Sequence, residues 1–222
     1  MTTETKDKSD KNYSNTKSAD STTTKIKKDP RVVQFKIVYW GPGESGKTTN
    51  FYRLREKFDS VKLNTGFSIE TTDGRTLWQD MVFITFEFII KQTKYTIIVQ
   101  IVTCTGQERF LSTREYVLDG ADGIVFVADS EPEVSEQNRR SFRELISFAK
   151  PKRIPYIVQL NKRDLEDRIS IKTFKQILGL PLDEKYPDGT RVVYPTIALQ
   201  GKNVVECFED LILQVIYNYF KS

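Results

Sequence analysis

Nine residues, GPGESGKTT at positions 41–49, constrain this chain more than any other part of its sequence. They fit the pattern G-x-x-x-x-G-K-[ST] and directly follow an apolar run, VVQFKIVYW, that is typical of a buried strand. A strand, a glycine-rich turn and a helix are the context in which this pattern binds phosphate. The sequence therefore predicts a P-loop between the first strand and a first helix over 47–58.

The residue types of this loop suit the chemistry of a bound polyphosphate. Glycines let the backbone curl so that its N–H groups point at phosphate oxygens, and the helix dipole adds positive potential there. Lys47 would place its ammonium between the β- and γ-phosphates, and the Thr48 hydroxyl would ligate Mg²⁺. The alternative is an accidental glycine-rich turn. The loop residues assigned to the nucleotide are Gly43, Glu44, Ser45, Gly46, Lys47, Thr48 and Thr49.

A second motif, NKRD at 161–164, follows the apolar run IPYIVQL. The Asp164 carboxylate can accept hydrogen bonds from guanine N1–H and N2–H₂, which adenine lacks, so guanine is favoured over adenine. Lys162 can cover one face of the base with its methylenes, and Asn161 can tie this loop to the P-loop. Taken alone, four residues fit a solvated charge cluster at a strand end equally well.

The rest of the chain after residue 30 alternates apolar strands with helices, which predicts a doubly wound α/β sheet. MVFITFEFII and KYTIIVQIVT are separated by a short turn and predict an antiparallel hairpin. The first of these strands is apolar on both faces. It could therefore be part of the core under a helix, or an exposed edge strand that binds a partner. Further strands are predicted over 123–129, 154–160 and 191–199, with helices over 133–149 and from Val204 onward.

Two more segments carry candidate catalytic residues. GRTLWQD at 74–80 lies in a predicted long loop, 59–80, where Thr76 would ligate Mg²⁺ and Arg75 would reach the γ-phosphate as an arginine finger. In TCTGQERF at 103–110, the Gly106 N–H would sense the γ-phosphate and Gln107 would orient the attacking water. A surface arginine in a flexible loop is the alternative reading of Arg75.

Composition limits the other functions that the chain can serve. It has no histidine, two widely spaced cysteines, and a net charge of +4 from 34 basic and 30 acidic residues. This argues against His-based catalysis, a zinc cage and nucleic-acid binding. Residues 1–30 are polar and predict a disordered tail, with the folded domain over 31–222. Because no signal peptide, membrane span or lipidation motif is evident, we expect a cytoplasmic protein without a stable membrane anchor.

In order, these motifs resemble those of Ras-superfamily small GTPases, and they are most similar to MglA-type proteins of bacteria and archaea. The resemblance covers about residues 32–220 and rests on KIVYWGPGESGKTTN, TTDGRTLWQD, TCTGQERF, GADGIVFVADS and IPYIVQLNKRDL. It implies a three-layer P-loop G domain with a six-stranded, mostly parallel sheet and one antiparallel strand. A GTP/GDP cycle, Mg²⁺ and a GTPase-activating partner of Roadblock fold are implied as well.

Four positions are compared with that family. Thr103 replaces the aspartate common in small GTPases, a substitution characteristic of MglA-type proteins, in which the arginine matching Arg75 acts as an intrinsic finger. Glu44 and Ser45 are similar to the P-loop of heterotrimeric Gα subunits, and we hypothesise that Glu44 pairs with Arg75. By register, the Ala198 N–H would lie near guanine O6.

The expected activity is therefore that of a molecular switch that hydrolyses GTP, with Arg75, Gln107 and Lys47 as catalytic residues. Thr48 and Thr76 are the predicted Mg²⁺ ligands. A GTP-binding scaffold that does not turn over is the alternative suggested by Thr103. An ATP-using P-loop enzyme is a third possibility, against which Asp164 argues. The sequence does not indicate the protein effector.

Overall fold

The computed structural model describes residues 31–58, 64–65, 81–90, 92–104 and 116–221. Within them, one sheet has the strand order β2-β3-β4-β1-β5-β6-β7. The strands are β1 (Arg31–Trp40), β2 (Asn64–Thr65), β3 (Met81–Ile90), β4 (Thr93–Thr103), β5 (Gly123–Asp129), β6 (Tyr156–Asn161) and β7 (Tyr194–Pro195).

The described residues include the helices α1 (Lys47–Phe58), α2 (Ser135–Lys152), α3 (Ile171–Leu178) and α4 (Val204–Lys221). Two short 3₁₀ turns, Pro132–Val134 and Ala198–Gln200, precede α2 and α4. The helix predicted over 47–58 has the predicted bounds, whereas α2 begins and ends a few residues later than the predicted 133–149.

The sheet is parallel except at β3, which pairs antiparallel with both β2 and β4. Ile90 lies opposite Thr93 where the hairpin turns, and Gln92 there adopts a left-handed φ of 64°. The central strand β1 pairs in parallel with β4 and with β5. The predicted antiparallel hairpin in an otherwise parallel sheet is thus confirmed.

Helices cover both faces of the sheet, giving the three predicted layers. One apolar cluster joins Phe35 and Ile37 of β1 to α1 and α4. The other joins Val38 and Trp40 of the same strand to α2 and α3. Alternate residues of β1 point to opposite faces, which explains why a strand buried on both sides has a nearly continuous apolar sequence.

Three features differ from the predicted elements. The strand predicted over 191–199 is reduced to β7, because Arg191 bridges Lys185 and Ile197 bridges Lys202 outside the sheet. The two-residue strand β2 adds a seventh strand to the predicted six. Helix α3 was not predicted, although Ile171, Phe174 and Leu178 recur at helical spacing within its eight residues.

The apolar strand β3 is divided between core and surface. Val82 and Ile84 are almost completely buried, whereas Phe88 and Ile89 are exposed by 38% and 73%. Within the part of the chain that the structure describes, Val82 and Phe83 are the residues of β3 that pair with β2. The first half of β3 therefore belongs to the core and its last residues lie at the surface, whereas a partner at that edge stays a prediction. Among the described residues, no helix has the length and apolarity to cross a membrane.

Candidate functional site

The P-loop lies where β1 ends and α1 begins, and its glycines are required by close backbone packing. A Cβ on Gly41 would come within 2.1 Å of the Val127 carbonyl oxygen. A Cβ on Gly46, which has a φ of 98°, would come within 2.2 Å of Asn161 Nδ2. Side chains at these two positions would force the loop away from its neighbours, so the glycines fix the path of the backbone.

Glu44, between these glycines, adopts a left-handed φ of 60°. Such a conformation costs a non-glycine residue on the order of 1 kcal/mol, and it is concentrated at ligand-binding turns. Next to it, Ser45 is completely buried, and its hydroxyl has no hydrogen-bond partner among the described residues. An unsatisfied buried hydroxyl in a tight turn fits a loop built to surround a polar ligand.

Lys47 begins α1 and is 6% exposed. Its Nζ donates hydrogen bonds to the Gly41 and Pro42 carbonyl oxygens at 3.1 and 2.5 Å. The ammonium is therefore folded over the loop that the sequence assigns to phosphates. At the start of the same helix, Thr48 and Thr49 are half-buried.

Asn161 joins the P-loop to the two loops predicted to bind the base. From the end of β6, its Nδ2 donates to the Ser45 carbonyl oxygen at 2.9 Å. Its Oδ1 accepts from the Ala198 N–H at 2.9 Å and from the Thr196 hydroxyl at 3.2 Å. The predicted tie to the P-loop is present in the structure, while the Ala198 N–H assigned to guanine O6 is hydrogen-bonded to Asn161.

Lys162 follows with a left-handed φ of 60°, and its ammonium is held by two carboxylates. Nζ lies 2.5 Å from Asp129 Oδ2 and 2.9 Å from Glu131 Oε1. Burial lowers the pKa of Lys162, but hydrogen bonds and charge from the two acids outweigh burial, so the pKa is raised. The amine is thus anchored at the end of β5, which leaves the methylene chain to border the adjoining cleft.

A cleft of about 180 Å³ lies where the P-loop, the NKRD loop and the loop after β7 meet. The exposed carboxylate of Asp164 is at this cleft, and the exposed Leu199 closes its other side. The lining residues are Glu44, Gly46, Thr49, Asn161, Lys162, Asp164, Leu165, Ala198 and Leu199. Three segments far apart in sequence thus contribute to one concave site, as a ligand pocket requires.

Further residues position these loops without being evident as site residues in the sequence. Arg163 donates to the Ser130 hydroxyl at 3.1 Å and to the Ile169 carbonyl at 2.7 Å. These two bonds hold the NKRD loop against the neighbouring segments. Arg53 of α1 donates to the Leu199 carbonyl oxygen. Only the position of Arg163 inside the NKRD motif could have drawn attention to it, and no sequence signal marks Arg53.

Four predicted residues, Arg75, Thr76, Gly106 and Gln107, lie outside the described residues. Thr103, by contrast, is described. It ends β4 opposite Tyr39 and is 1% exposed. The N–H of the next residue, Cys104, donates to the Tyr39 carbonyl. Thr103 therefore lies beside the end of the strand that leads into the P-loop.

The described residues suit a magnesium ion held mainly by phosphate and water. They contain no group of three or more His, Cys, Asp or Glu side chains that would form a protein cage for a metal. Mg²⁺ usually keeps several waters and takes one or two protein ligands plus substrate phosphates. The half-buried hydroxyl of Thr48, at the first turn of α1, is in the position for such a ligand.

Comparison with known proteins agrees with this geometry. Residues 33–220 match the family model described as the elongation factor Tu GTP binding domain. The mutual gliding-motility protein MglA of Myxococcus xanthus is 34% identical over 155 residues, which are 67% of this chain and 77% of that protein.

More distant relatives cover a larger share of the chain. Ras-related protein Rab-9A of Rattus norvegicus is 26% identical over 190 residues, 82% of this chain and 83% of that protein. ADP-ribosylation factor-like protein 3 of Saccharomyces cerevisiae is 23% identical over 186 residues, 83% of this chain and 87% of that protein. These matches show that the chain belongs to the Ras superfamily of GTP-binding proteins, as an MglA-like small GTPase.

Proposed function

We propose that this protein is a guanine-nucleotide switch that hydrolyses GTP to GDP and phosphate with the help of Mg²⁺ and an arginine of its own chain. The observation that carries the proposal is the single cleft at which the P-loop, Asp164 and Ala198 meet. In such a cleft the backbone of the P-loop would bind the phosphates of a nucleotide. Asp164 and Ala198 would contact its guanine base.

Recognition of the base is assigned to the NKRD loop and the loop after β7. Asp164 would accept both guanine N–H donors, and the anchored Lys162 would cover one face of the ring. The Ala198 N–H would exchange its Asn161 partner for guanine O6, while the bond from Asn161 Nδ2 to the Ser45 carbonyl keeps the loops together. Since an adenine would leave the carboxylate without its donors, the site should discriminate strongly against ATP.

Phosphate binding is assigned to the P-loop and to Lys47. The loop N–H groups and the amino terminus of α1 would bind phosphate oxygens, and Lys47 would exchange its carbonyl partners for the β- and γ-phosphates. When bound, Mg²⁺ would supply positive charge that stabilises the phosphates. Thr48 and Thr76 are the proposed protein ligands of that ion.

Hydrolysis is assigned to positioning and charge stabilisation, because phosphoryl transfer needs little covalent help from a protein. We propose that Gln107 orients the water, that Gly106 senses the γ-phosphate and that Arg75 neutralises charge developing on it. Glu44, at its left-handed turn in the P-loop, would hold Arg75 near the phosphates. The alternative, a GTP-binding scaffold without turnover, is supported by the uncharged Thr103.

The resemblance to MglA-type proteins supports two further proposals. We propose a GTPase-activating partner of Roadblock fold, and a cytoplasmic location for the protein. Co-purification with a Roadblock-fold protein that speeds GTP hydrolysis would support the first. If such a protein binds but leaves the rate unchanged, this partner proposal is wrong.

Base recognition is tested with Asp164→Asn. The amide can donate to the C2 carbonyl of xanthine but no longer accepts both guanine donors, so affinity should shift from GDP to xanthosine diphosphate. We expect a loss of at least about 100-fold for GDP, in line with leaving polar groups of the base unpaired. Competition against a fluorescent GDP measures it.

The matched control is Asp167→Asn, an exposed aspartate three residues further along the same loop. It should leave both affinities unchanged. Equal affinity of the Asp164→Asn variant for GDP and for xanthosine diphosphate would contradict the proposed base recognition.

The role of Arg75 is tested by single-turnover hydrolysis of bound GTP. Arg75→Ala should slow cleavage by a factor of about 10³ while GTP affinity changes little, because an arginine finger acts on charge present in the transition state. Arg55→Ala, which removes an exposed arginine near the end of α1, is the control. If the wild-type protein binds GTP tightly but leaves it intact, either an activating partner is required or the protein is the non-hydrolysing scaffold.

A further inference from the structure

A second concave site lies on the face of the sheet that α2 and α3 cover. This groove has a volume of about 700 Å³ and runs along the helices at the amino-terminal end of β6. Its floor is apolar and consists mainly of Phe142, Ile146, Ile154, Tyr156, Leu178 and Leu180. Phe142 is buried, but the other five are only half-buried, so apolar surface of the fold is left open here.

The rim of this groove carries charge of one sign. Arg143 and Lys150 project from α2, and Arg153 follows directly at its end; all three are exposed. Among the described residues that line the groove there is no carboxylate. An apolar floor beneath a basic rim complements a ligand that is both apolar and acidic.

The walls are fixed before any ligand binds. Arg153 takes a left-handed φ of 55°, and its N–H caps α2 at the Ala149 and Lys150 carbonyls. Gly179 caps α3 in the same way, and Lys175 donates to the carbonyls of Leu182 and Asp183, which holds the chain after the helix. A preformed groove loses little entropy on binding, so a short segment can bind it with useful affinity.

We propose that this groove docks an acidic, amphipathic segment of a partner protein. The chain's own residues 1–30 are poor candidates, because they contain seven Lys against five Asp and Glu and would face like charge. A bilayer is a poor candidate as well, since the apolar residues form the floor of a groove below the basic side chains. An acidic peptide satisfies both the floor and the rim.

The position of the groove makes this docking compatible with nucleotide binding. Tyr156 at the groove and Asn161 at the nucleotide cleft stand at opposite ends of β6. At about 3.3 Å per residue the two sites lie about 17 Å apart along the strand. Partner and nucleotide can therefore be bound together, and the affinity for the partner should be equal in the GDP and GTP states.

The test uses the full-length protein and a random library of 16-residue peptides. Selection on the GDP-bound protein should enrich peptides that combine Asp or Glu with Leu, Ile or Phe. Binding of a selected peptide, measured by fluorescence anisotropy, should weaken at least about tenfold in the double variant Arg143→Glu/Lys150→Glu. The milder Arg143→Gln/Lys150→Gln should lie between the two.

A matched control reverses two basic residues away from the groove, Lys172→Glu/Lys221→Glu, and should bind as the wild type does. All variants are first compared with the wild type by circular dichroism and GDP affinity, so that a folding defect is recognised. The proposal is overturned if no peptide is enriched, or if the enriched peptides are basic or uncharged. It is also overturned if the charge-reversed variant binds the selected peptides as tightly as the wild type does. Displacement of the peptide by GTP would also contradict it.

Discussion

At the scale of single residues, Asn161 does more than the sequence suggested. Its buried amide satisfies a P-loop carbonyl with one end and two groups of the loop after β7 with the other. The P-loop and the loop after β7, both proposed to contact the nucleotide, therefore depend on one side chain for their relative position. A small error there would displace groups that must fit the phosphates and the base at the same time.

Asn161→Ala should accordingly weaken both the fold and the nucleotide site. It leaves the Ser45 carbonyl, the Ala198 N–H and the Thr196 hydroxyl without their partner, and we expect about 3 kcal/mol less free energy of unfolding. Affinity for GDP should fall at least about tenfold. Urea unfolding and titration with fluorescent GDP measure the two effects.

Asn138→Ala separates these effects. Asn138 is equally buried and bonds the backbone of Asp129 at 3.0 and 2.8 Å from the opposite face of the sheet. We expect a comparable loss of stability but less than about a threefold change in GDP affinity. Equal losses of GDP affinity in the two variants would show that Asn161 has no special role in the site.

Much of the described part of the site was readable from the sequence, because the P-loop and NKRD motifs consist of contiguous residues. The partners of those residues were not. Asp129 and Glu131 hold Lys162 only because β5 and β6 are neighbours in the sheet. The Ala198 N–H donates its hydrogen bond to the side chain of Asn161, which is 37 residues away in the sequence. Pairings of this kind follow from packing and leave no local pattern.

At the scale of elements, α3 shows how a short helix is stabilised by its ends. The Ser170 hydroxyl accepts from the Thr173 N–H at 3.0 Å, and Gly179 takes a left-handed φ of 68°. Eight residues are too few for a stable isolated helix, so caps and packing of Phe174 must supply the stability. Serine before and glycine after an amphipathic octamer were the signals available in the sequence.

Ser170→Ala should therefore cost about 1 kcal/mol of unfolding free energy, because it removes the N-cap hydrogen bond. Ser147→Ala is the control: that exposed serine lies inside α2 and bonds only the Glu144 carbonyl of its own helix. Its substitution should change stability by less than about 0.5 kcal/mol. If both variants are equally stable, the cap contributes nothing.

Strand and helix positions were predictable wherever the apolar pattern was long. The helix over 47–58 and both hairpin strands were placed to within a residue. The strand after α3 was overestimated, since an apolar run there turns away from the sheet after only Tyr194 and Pro195. An apolar sequence pattern indicates that a segment is buried, but not that it pairs in a sheet. In this segment burial comes from packing, and pairing in the sheet is limited to these two residues.

At the scale of the whole molecule, the interior beneath α4 contains groups that resist losing a proton. Burial raises the pKa of Tyr39 and of the Cys207 thiol. Burial, together with a hydrogen bond to Asp210 at 2.5 Å, raises the pKa of Tyr194. In each case the folded protein keeps its proton to a higher pH than the unfolded chain does.

The sign of the pH dependence follows from this difference. In the unfolded chain the reference pKa values are 9.0 for cysteine and 10.0 for tyrosine, so the stabilisation is complete below them. We expect the free energy of unfolding to decrease above about pH 9, with a slope of up to about 1.4 kcal/mol per pH unit and group. Urea denaturation at a series of pH values measures it.

Two substitutions locate the effect. Cys207→Ala should flatten the decrease that begins near pH 9, and Tyr194→Phe should flatten the part that begins near pH 10. Tyr217→Phe, which changes an exposed tyrosine on α4, is the control. If the free energy of unfolding rises with pH above about pH 9, the pH dependence is not caused by these buried groups.

The central place of β1 has a consequence for how the chain is made on a ribosome. The strand is synthesised early, yet its hydrogen-bonding partners are β4 on one side and β5 on the other, which follow much later in the sequence. At about 5–20 residues per second, the apolar run ending at Trp40 stays unpaired for several seconds or more. During that time it is the segment most in need of a chaperone, and the neighbouring hairpin, whose strands are consecutive, can form first and serve as the surface on which it docks.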